Sequence, residues 1–180
     1  MYTVLLVEDE EMIRNAIKKV IPWNDLGFQL VGEMENGKET IEYLKGNTVD
    51  VVITDICMPF VDGLELSEYI RNNNMKTKIL IITGHDDFEY AKQALKLGVY
   101  DYVLKPITAK EFSDVLKGLK KKMDMENRHK DYLQNLKKKY NKTVRTAQDV
   151  FLKELLTVNM NEEIIEEKLR ELSLDFNGNT

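Results

Sequence analysis

Hydrophobic and polar positions along this chain switch between two periods. Residues 3–7 (TVLLV), the run Val51, Val52 and Ile53, and Lys78–Thr83 (KILIIT) are short and rich in β-branched residues. Without an alternating polar face, they read as strands covered on both sides. Phe28–Met34 alternates, as a more exposed edge strand does, and residues 100–104 supply a fifth strand. Between the strands, apolar residues recur at helical spacing. Met12, Ile13, Ala16, Ile17, Val20 and Ile21 predict a first helix with one apolar stripe, stopped by Pro22; residues 23–27 connect it to the edge strand. Asn36-Gly37 turns into a helix carrying Ile41 and Leu44, and Leu64, Leu66, Tyr69 and Ile70 mark a third. Asp86 and Asp87 are candidate caps for a fourth, with Phe88, Ala91, Ala94 and Leu95 inward and Gly98 at its end. Thr108 and Glu111 form a capping box before Phe112, Val115, Leu116 and Leu119. Five strand-then-helix repeats joined by right-handed crossovers predict a doubly wound parallel α/β sheet.

From Thr108 to about residue 157 the helical pattern runs on without proline, with Gly118 as the one glycine inside it. Leu116, Leu119 and Met123 fit a heptad seam, Glu126 and Lys130 interrupt it, and Leu133, Leu136, Tyr140, Val144, Ala147 and Phe151 resume it with slipped spacing. A dimeric coiled coil and a single helix folding back both fit that pattern. Residues 161–176, with Ile164, Ile165, Leu169, Leu172 and Leu174, are amphipathic but too short to bury their face alone. The expected organisation is a domain over residues 1–122, a helical linker over 123–157, and the truncated start of a following domain over 158–180.

Composition narrows the class. A length of 180 residues with 43% hydrophobic residues suffices for one packed domain and an appendage. No apolar run approaches the roughly 20 residues of a membrane span, and the first residues lack a signal-peptide pattern, so the expected compartment is the cytoplasm. The single cysteine, Cys57, rules out an internal disulfide or a multi-cysteine zinc site. A net charge of −5 argues against nucleic-acid binding by the whole chain. The lysine clusters at 120–122 and 137–139 read as a solvated face.

Ligands in open α/β sheets bind beyond the carboxyl ends of the strands. Those ends carry Glu8 and Asp9, Asp55, Thr83 and Lys105. Carboxylates about 5 Å apart repel by roughly 3 kcal/mol per pair at an effective dielectric of about 20, so three of them persist as anions only beside cations. Lys105 is one cation. An all-oxygen site suits Mg²⁺ as a second, with positions left for phosphoryl oxygens, and a carboxylate there can attack phosphorus in line.

These positions, with TDICMP around Asp55, Asp62-Gly63 after it and Lys105-Pro106, resemble the receiver domain of two-component response regulators over residues 1 to about 122. The resemblance implies the flavodoxin-like strand order 2-1-3-4-5, followed here by a long C-terminal helical extension. It makes Asp55 the phosphoacceptor for a sensor histidine kinase. Glu8, Asp9, Asp55 and the Cys57 main-chain carbonyl become ligands of Mg²⁺ or Mn²⁺, and Lys105 pairs with the phosphoryl group. Thr83 and Tyr102 become a switch in which the hydroxyl turns to the phosphoryl group and the aromatic ring follows inward. Glu8 stands where Asp is also common, which bears on metal geometry. His85 lies where receivers tune water access, and His129 reads as solvated. The stretches IPWNDLGF, TGHDDFEYAKQALKLGVYDYVLKP and FLKELLTVNMNEEIIEEKLRELSLDF are similar to AraC-type, YesN-like response regulators. That similarity implies a DNA-binding output absent from these residues, and the seam of the linker helix makes a homodimer the expected assembly. The expected role is therefore a phospho-switch and not an enzyme. The alternatives are an aspartate-nucleophile phosphatase or phosphotransferase, a receiver that acts only as a dimerisation scaffold, and a receiver with a non-DNA output. Haloacid-dehalogenase-like phosphatases carry a second acid two residues after the nucleophile, where this chain has Cys57.

Overall fold

The computed structural model describes residues 1–73, 75–84, 88–157 and 161–172. Strands β1 (Tyr2–Val7), β2 (Phe28–Met34), β3 (Val51–Thr54), β4 (Lys78–Thr83) and β5 (Asp101–Leu104) alternate with helices. These are α1 (Glu11–Val20), α2 (Gly37–Gly46), α3 (Gly63–Asn72), α4 (Phe88–Lys96) and α5 (Ala109–Thr157), with α6 (Glu162–Glu171) last. The strands form one sheet in the order β2-β1-β3-β4-β5, every neighbouring pair parallel. This is the doubly wound, flavodoxin-like arrangement expected from the strand-helix alternation, and a 49-residue helix follows it.

Burial explains which strands sit centrally. Val4, Leu5, Val7, Val51, Val52, Ile53, Ile79, Leu80 and Ile81 are completely inaccessible, as continuous β-branched runs must be when helices cover both faces. β5 is an edge, and Leu104 on it stays 40% exposed. At the amino ends of β1 and β3, Asp50 Oδ2 accepts from Thr3 N–H at 2.7 Å and from Thr3 Oγ1 at 2.9 Å. The Asp50 N–H in turn donates to Thr3 Oγ1 at 3.0 Å.

Helix starts follow their caps. Asn36 accepts from Glu39 N–H to open α2. Asp62 and Glu65 make a reciprocal capping box on α3, and Thr108 and Glu111 do the same before α5. Gly63 is obligatory for contact: a Cβ there would come within 2.1 Å of the Asp55 carbonyl.

Two expectations about faces need correction. On α1 the buried residue is Arg14, while Met12 and Val20 stand 85% and 57% exposed. The side facing the protein is rotated from the middle of the apolar stripe toward Arg14, because the guanidinium finds backbone acceptors there. On α4, Ala94 is buried but Leu95 is 70% exposed. The connection after α1 is also more than a linker: Trp23 and Leu26 are buried, and the Trp23 ring meets Phe112 edge-on at 6.2 Å. The expected roles of His85, Asp86, Asp87 and the Phe88 side chain lie outside the described residues, as do Leu174 and positions 173–180.

The chain falls into two compact units, the first Met1–Lys122 and the second beginning at Met123. In the second, Gln148 donates to the Leu172 carbonyl at 2.8 Å. Lys168 pairs with Glu154 at 3.1 Å and lies over the buried Phe151 ring. Leu133, Leu136 and Tyr140 on α5 are 51%, 44% and 69% exposed, an apolar line without cover along the helix. Among the described residues, no helix is long and apolar enough to cross a membrane.

Candidate functional site

Parallel strands all deliver their carboxyl ends to one edge, and here β1, β3 and β5 deliver charge while β4 delivers the Thr83 hydroxyl. Glu8 follows Val7, its N–H bonded to the Met34 carbonyl at the end of β2. Asp55 follows Thr54, its N–H bonded to the Val7 carbonyl. Lys105 follows Leu104 and is joined to Pro106 by a cis peptide, its N–H donating to the Thr83 carbonyl at 2.7 Å. Sheet register thus extends past the last strand residues and sets where each side chain begins.

The side chains then converge. Lys105 Nζ lies 2.8 Å from Asp55 Oδ2, 2.8 Å from Glu8 Oε2 and 3.1 Å from Glu8 Oε1. Asp55 Oδ1 accepts the Ile56 N–H at 2.6 Å. Glu8 is 1% exposed and Asp55 7%, whereas Asp9 is exposed. Carboxylate oxygens of Glu8, Asp9 and Asp55 lie within 4.8 Å of one another.

One ammonium shared by two buried carboxylates, with a third nearby, leaves the cluster short of positive charge. Burial raises the Glu8 carboxyl above its ordinary value; Lys105 opposes this, and the charges of Asp55 and Asp9 add to it. Lys105 is raised overall: burial works against the ammonium, but its bonds to Asp55 and Glu8 outweigh that cost. The Cys57 thiol is also raised, first by desolvation and then by Asp55, Asp62 and Asp9, so it stays protonated at neutral pH.

The donor chemistry fits a hard divalent cation. Three carboxylates crowded to within 4.8 Å offer only oxygen, which suits Mg²⁺ or Mn²⁺ and excludes a soft-ligand metal. Glu8, Asp9 and Asp55 are the side chains positioned to hold such an ion.

Of the residues singled out from the sequence, Glu8, Asp55 and Lys105 are in direct contact and Asp9 joins them at the exposed rim. Thr83 is completely buried at the end of β4 and tied to Lys105 through its carbonyl. Tyr102 sits opposite Ile81 in the sheet register, half-buried against the apolar core. Cys57 is exposed in the loop after β3. Sequence reasoning missed Arg14, which donates to the Glu8 carbonyl at 2.5 Å and pairs with Glu35 at 3.1 Å. Its signal was a guanidinium set next to the apolar arc of α1.

Comparison with known proteins identifies relatives of the chain. Residues 4–117 match the family profile described as the response regulator receiver domain. The chain is similar to the transcriptional regulatory protein YesN of Bacillus subtilis, 33% identical over 156 residues, which cover 87% of this chain and 42% of that protein. It is also similar to the transcriptional regulatory protein HptR of Staphylococcus aureus, 33% identical over 116 residues, 64% of this chain and 45% of that one. The chain thus spans less than half the length of these curated relatives. Among solved structures, the REC domain of AraT, a response regulator from Geobacillus stearothermophilus, matches with a TM-score of 0.65 and 37% identity, covering 70% of this chain and 98% of that one.

Proposed function

The chain belongs to the response regulator receiver domain family, and from that premise we propose that it is a phospho-switch of a two-component system whose phosphoacceptor is Asp55. The observation that supports this reading is the shared ammonium: Lys105 Nζ stands 2.8 Å from both Asp55 and Glu8 at the sheet's carboxyl edge. An Asp55 oxygen attacks the phosphorus of a sensor kinase phosphohistidine in line. The new P–O bond forms as the P–N bond breaks, and the electron pair stays with the departing imidazole. Lys105 holds the incoming phosphoryl oxygens, and Glu8, Asp9, Asp55 and the Cys57 carbonyl would hold Mg²⁺ or Mn²⁺. When bound, that ion neutralises the charge on the phosphoryl oxygens. The chain assists its own phosphorylation and dephosphorylation but turns over no separate substrate.

Phosphorylation adds nearly two negative charges. Thr83 then turns to a phosphoryl oxygen and Tyr102 turns inward, which reshapes the surface of α4 and β5. A shift from mostly inactive to mostly active requires a differential stabilisation of about 5 kcal/mol, within reach of several charge-assisted hydrogen bonds. The uncovered line Leu133, Leu136 and Tyr140 supports a homodimer through α5. The names of YesN and HptR support an output in transcription, exerted in the cytoplasm through a DNA-binding domain beyond these residues.

Incubation with acetyl phosphate and Mg²⁺ tests the reading. Intact-mass spectrometry is expected to find one added phosphoryl group, lost in hydroxylamine and absent from Asp55→Asn; labelling of Asp55→Asn at the wild-type level contradicts it. Light scattering with and without beryllofluoride tests the dimer, and an unchanged mass across a concentration series contradicts that part alone.

A further inference from the structure

Arg14 is a charged residue that α1 buries, with 9% of its surface exposed. Its Nη1 donates to the Glu8 carbonyl at 2.5 Å and reaches the Asp9 carbonyl at 3.5 Å. Its Nη2 donates to Glu35 Oε1 at 3.1 Å, in the turn between β2 and α2. The Glu35 side chain is 67% exposed, so the backbone carbonyls are the better-shielded partners.

The place of these contacts matters. β1 ends at Val7, and the Glu8 N–H makes its bond to the Met34 carbonyl. The next two carbonyls, of Glu8 and Asp9, lie past the end of the strand, and their peptide planes set where the two carboxylates aim. No side chain caps the start of α1 at Glu10. Arg14 ties the first turns of that helix to both carbonyls of the acidic pair. A guanidinium suits this task because its donors sit in a rigid planar fork, whereas an ammonium is a single point of charge.

We propose that Arg14 is a positioning residue for divalent-cation binding: by gripping the Glu8 and Asp9 carbonyls it aims their carboxylates toward Asp55, with Glu35 setting the rotation of the guanidinium. The proposal rests on the metal-binding reading of the acidic cluster. Its consequence is a loss of cation affinity in a protein that still folds, since groups that orient metal ligands typically govern 10- to 100-fold in affinity.

Calorimetric titration of Mg²⁺ into the 180-residue chain tests it, at a temperature where circular dichroism finds each variant folded. Arg14→Met is expected to weaken Mg²⁺ binding about tenfold or more. Arg14→Lys restores only part of the loss, and Glu35→Gln gives a smaller weakening. If Arg14→Met does not fold, Arg14→Lys decides: wild-type affinity overturns the proposal. A lower unfolding midpoint in Arg14→Met with unchanged Mg²⁺ affinity marks a purely structural role and also overturns it. Absence of Mg²⁺ binding by the wild-type chain removes the metal-binding reading itself, and the proposal with it.

Discussion

Asp50 and Asp55 flank the same strand and meet opposite fates. Asp50, before β3, is closed off by Thr3, which supplies an amide and a hydroxyl to one carboxylate oxygen and accepts the Asp50 amide in return. These neutral donors satisfy one oxygen of the carboxylate, and it serves as a clasp between β1 and β3. Asp55, after β3, shares its ammonium with Glu8 and lies among carboxylate oxygens that repel it. The first site is complete. The second has more negative charge than its own cation balances, and its oxygens suit a hard divalent cation. A carboxylate becomes chemically useful where the fold leaves its charge unmatched.

The largest effect should come from removing the shared cation. Lys105→Met leaves two buried carboxylates facing each other and is expected to cost about 3 kcal/mol in urea unfolding without metal. Mg²⁺ at ten times its Kd should restore about 1.4 kcal/mol. The same linkage has a pH signature in the wild-type receiver. Because the folded pKa of Lys105 is raised, its stabilisation is fully present below the ordinary 10.5 and is lost as pH rises through the folded value. Alkaline unfolding should therefore be shallower in Lys105→Met than in wild type.

Next comes the clasp. Asp50→Ala removes the acceptor of the Thr3 amide and hydroxyl and should cost about 2 kcal/mol, while acetyl phosphate labelling in the folded protein stays at the wild-type level. A loss of labelling would erase the distinction between the two ends of β3.

The smallest effect has the opposite sign. Glu8→Gln relieves a carboxylate whose burial raises its pKa, so the metal-free variant should be between equally stable and about 1 kcal/mol more stable near neutral pH. A raised pKa means that the favourable contribution of Glu8 is present below its ordinary 4.5 and lost as pH rises through the folded value. Wild type should therefore gain on Glu8→Gln as pH falls, and Glu8→Gln should bind Mg²⁺ more weakly. A variant destabilised at neutral pH would mean that Glu8 is already neutralised.

The sheet and the acidic edge were legible because both follow from chain order. Continuous runs such as VVIT allow no solvent face, and parallel crossovers bring every strand's carboxyl end to one side. Helix faces were less legible. The apolar stripe of α1 rightly included Ile13, Ile17 and Ile21, which are half-buried or buried, but it also took in the exposed Met12 and Val20 and left out the buried Arg14, because hydropathy counts a guanidinium as polar wherever it lies. Its acceptors are backbone carbonyls, which carry no sequence signature. Trp23 and Leu26 were likewise hidden within a connection too short to show a period.

The most direct measurement is to treat the acetyl phosphate-labelled protein with borohydride, which reduces an aspartyl phosphate to homoserine, and to map the modified residue by peptide mass spectrometry. Homoserine at position 55, formed only with Mg²⁺ present, is the expected result. Homoserine at position 9 or 50, or none despite wild-type folding and Mg²⁺ binding, would contradict the assignment of Asp55 as the residue that receives phosphate.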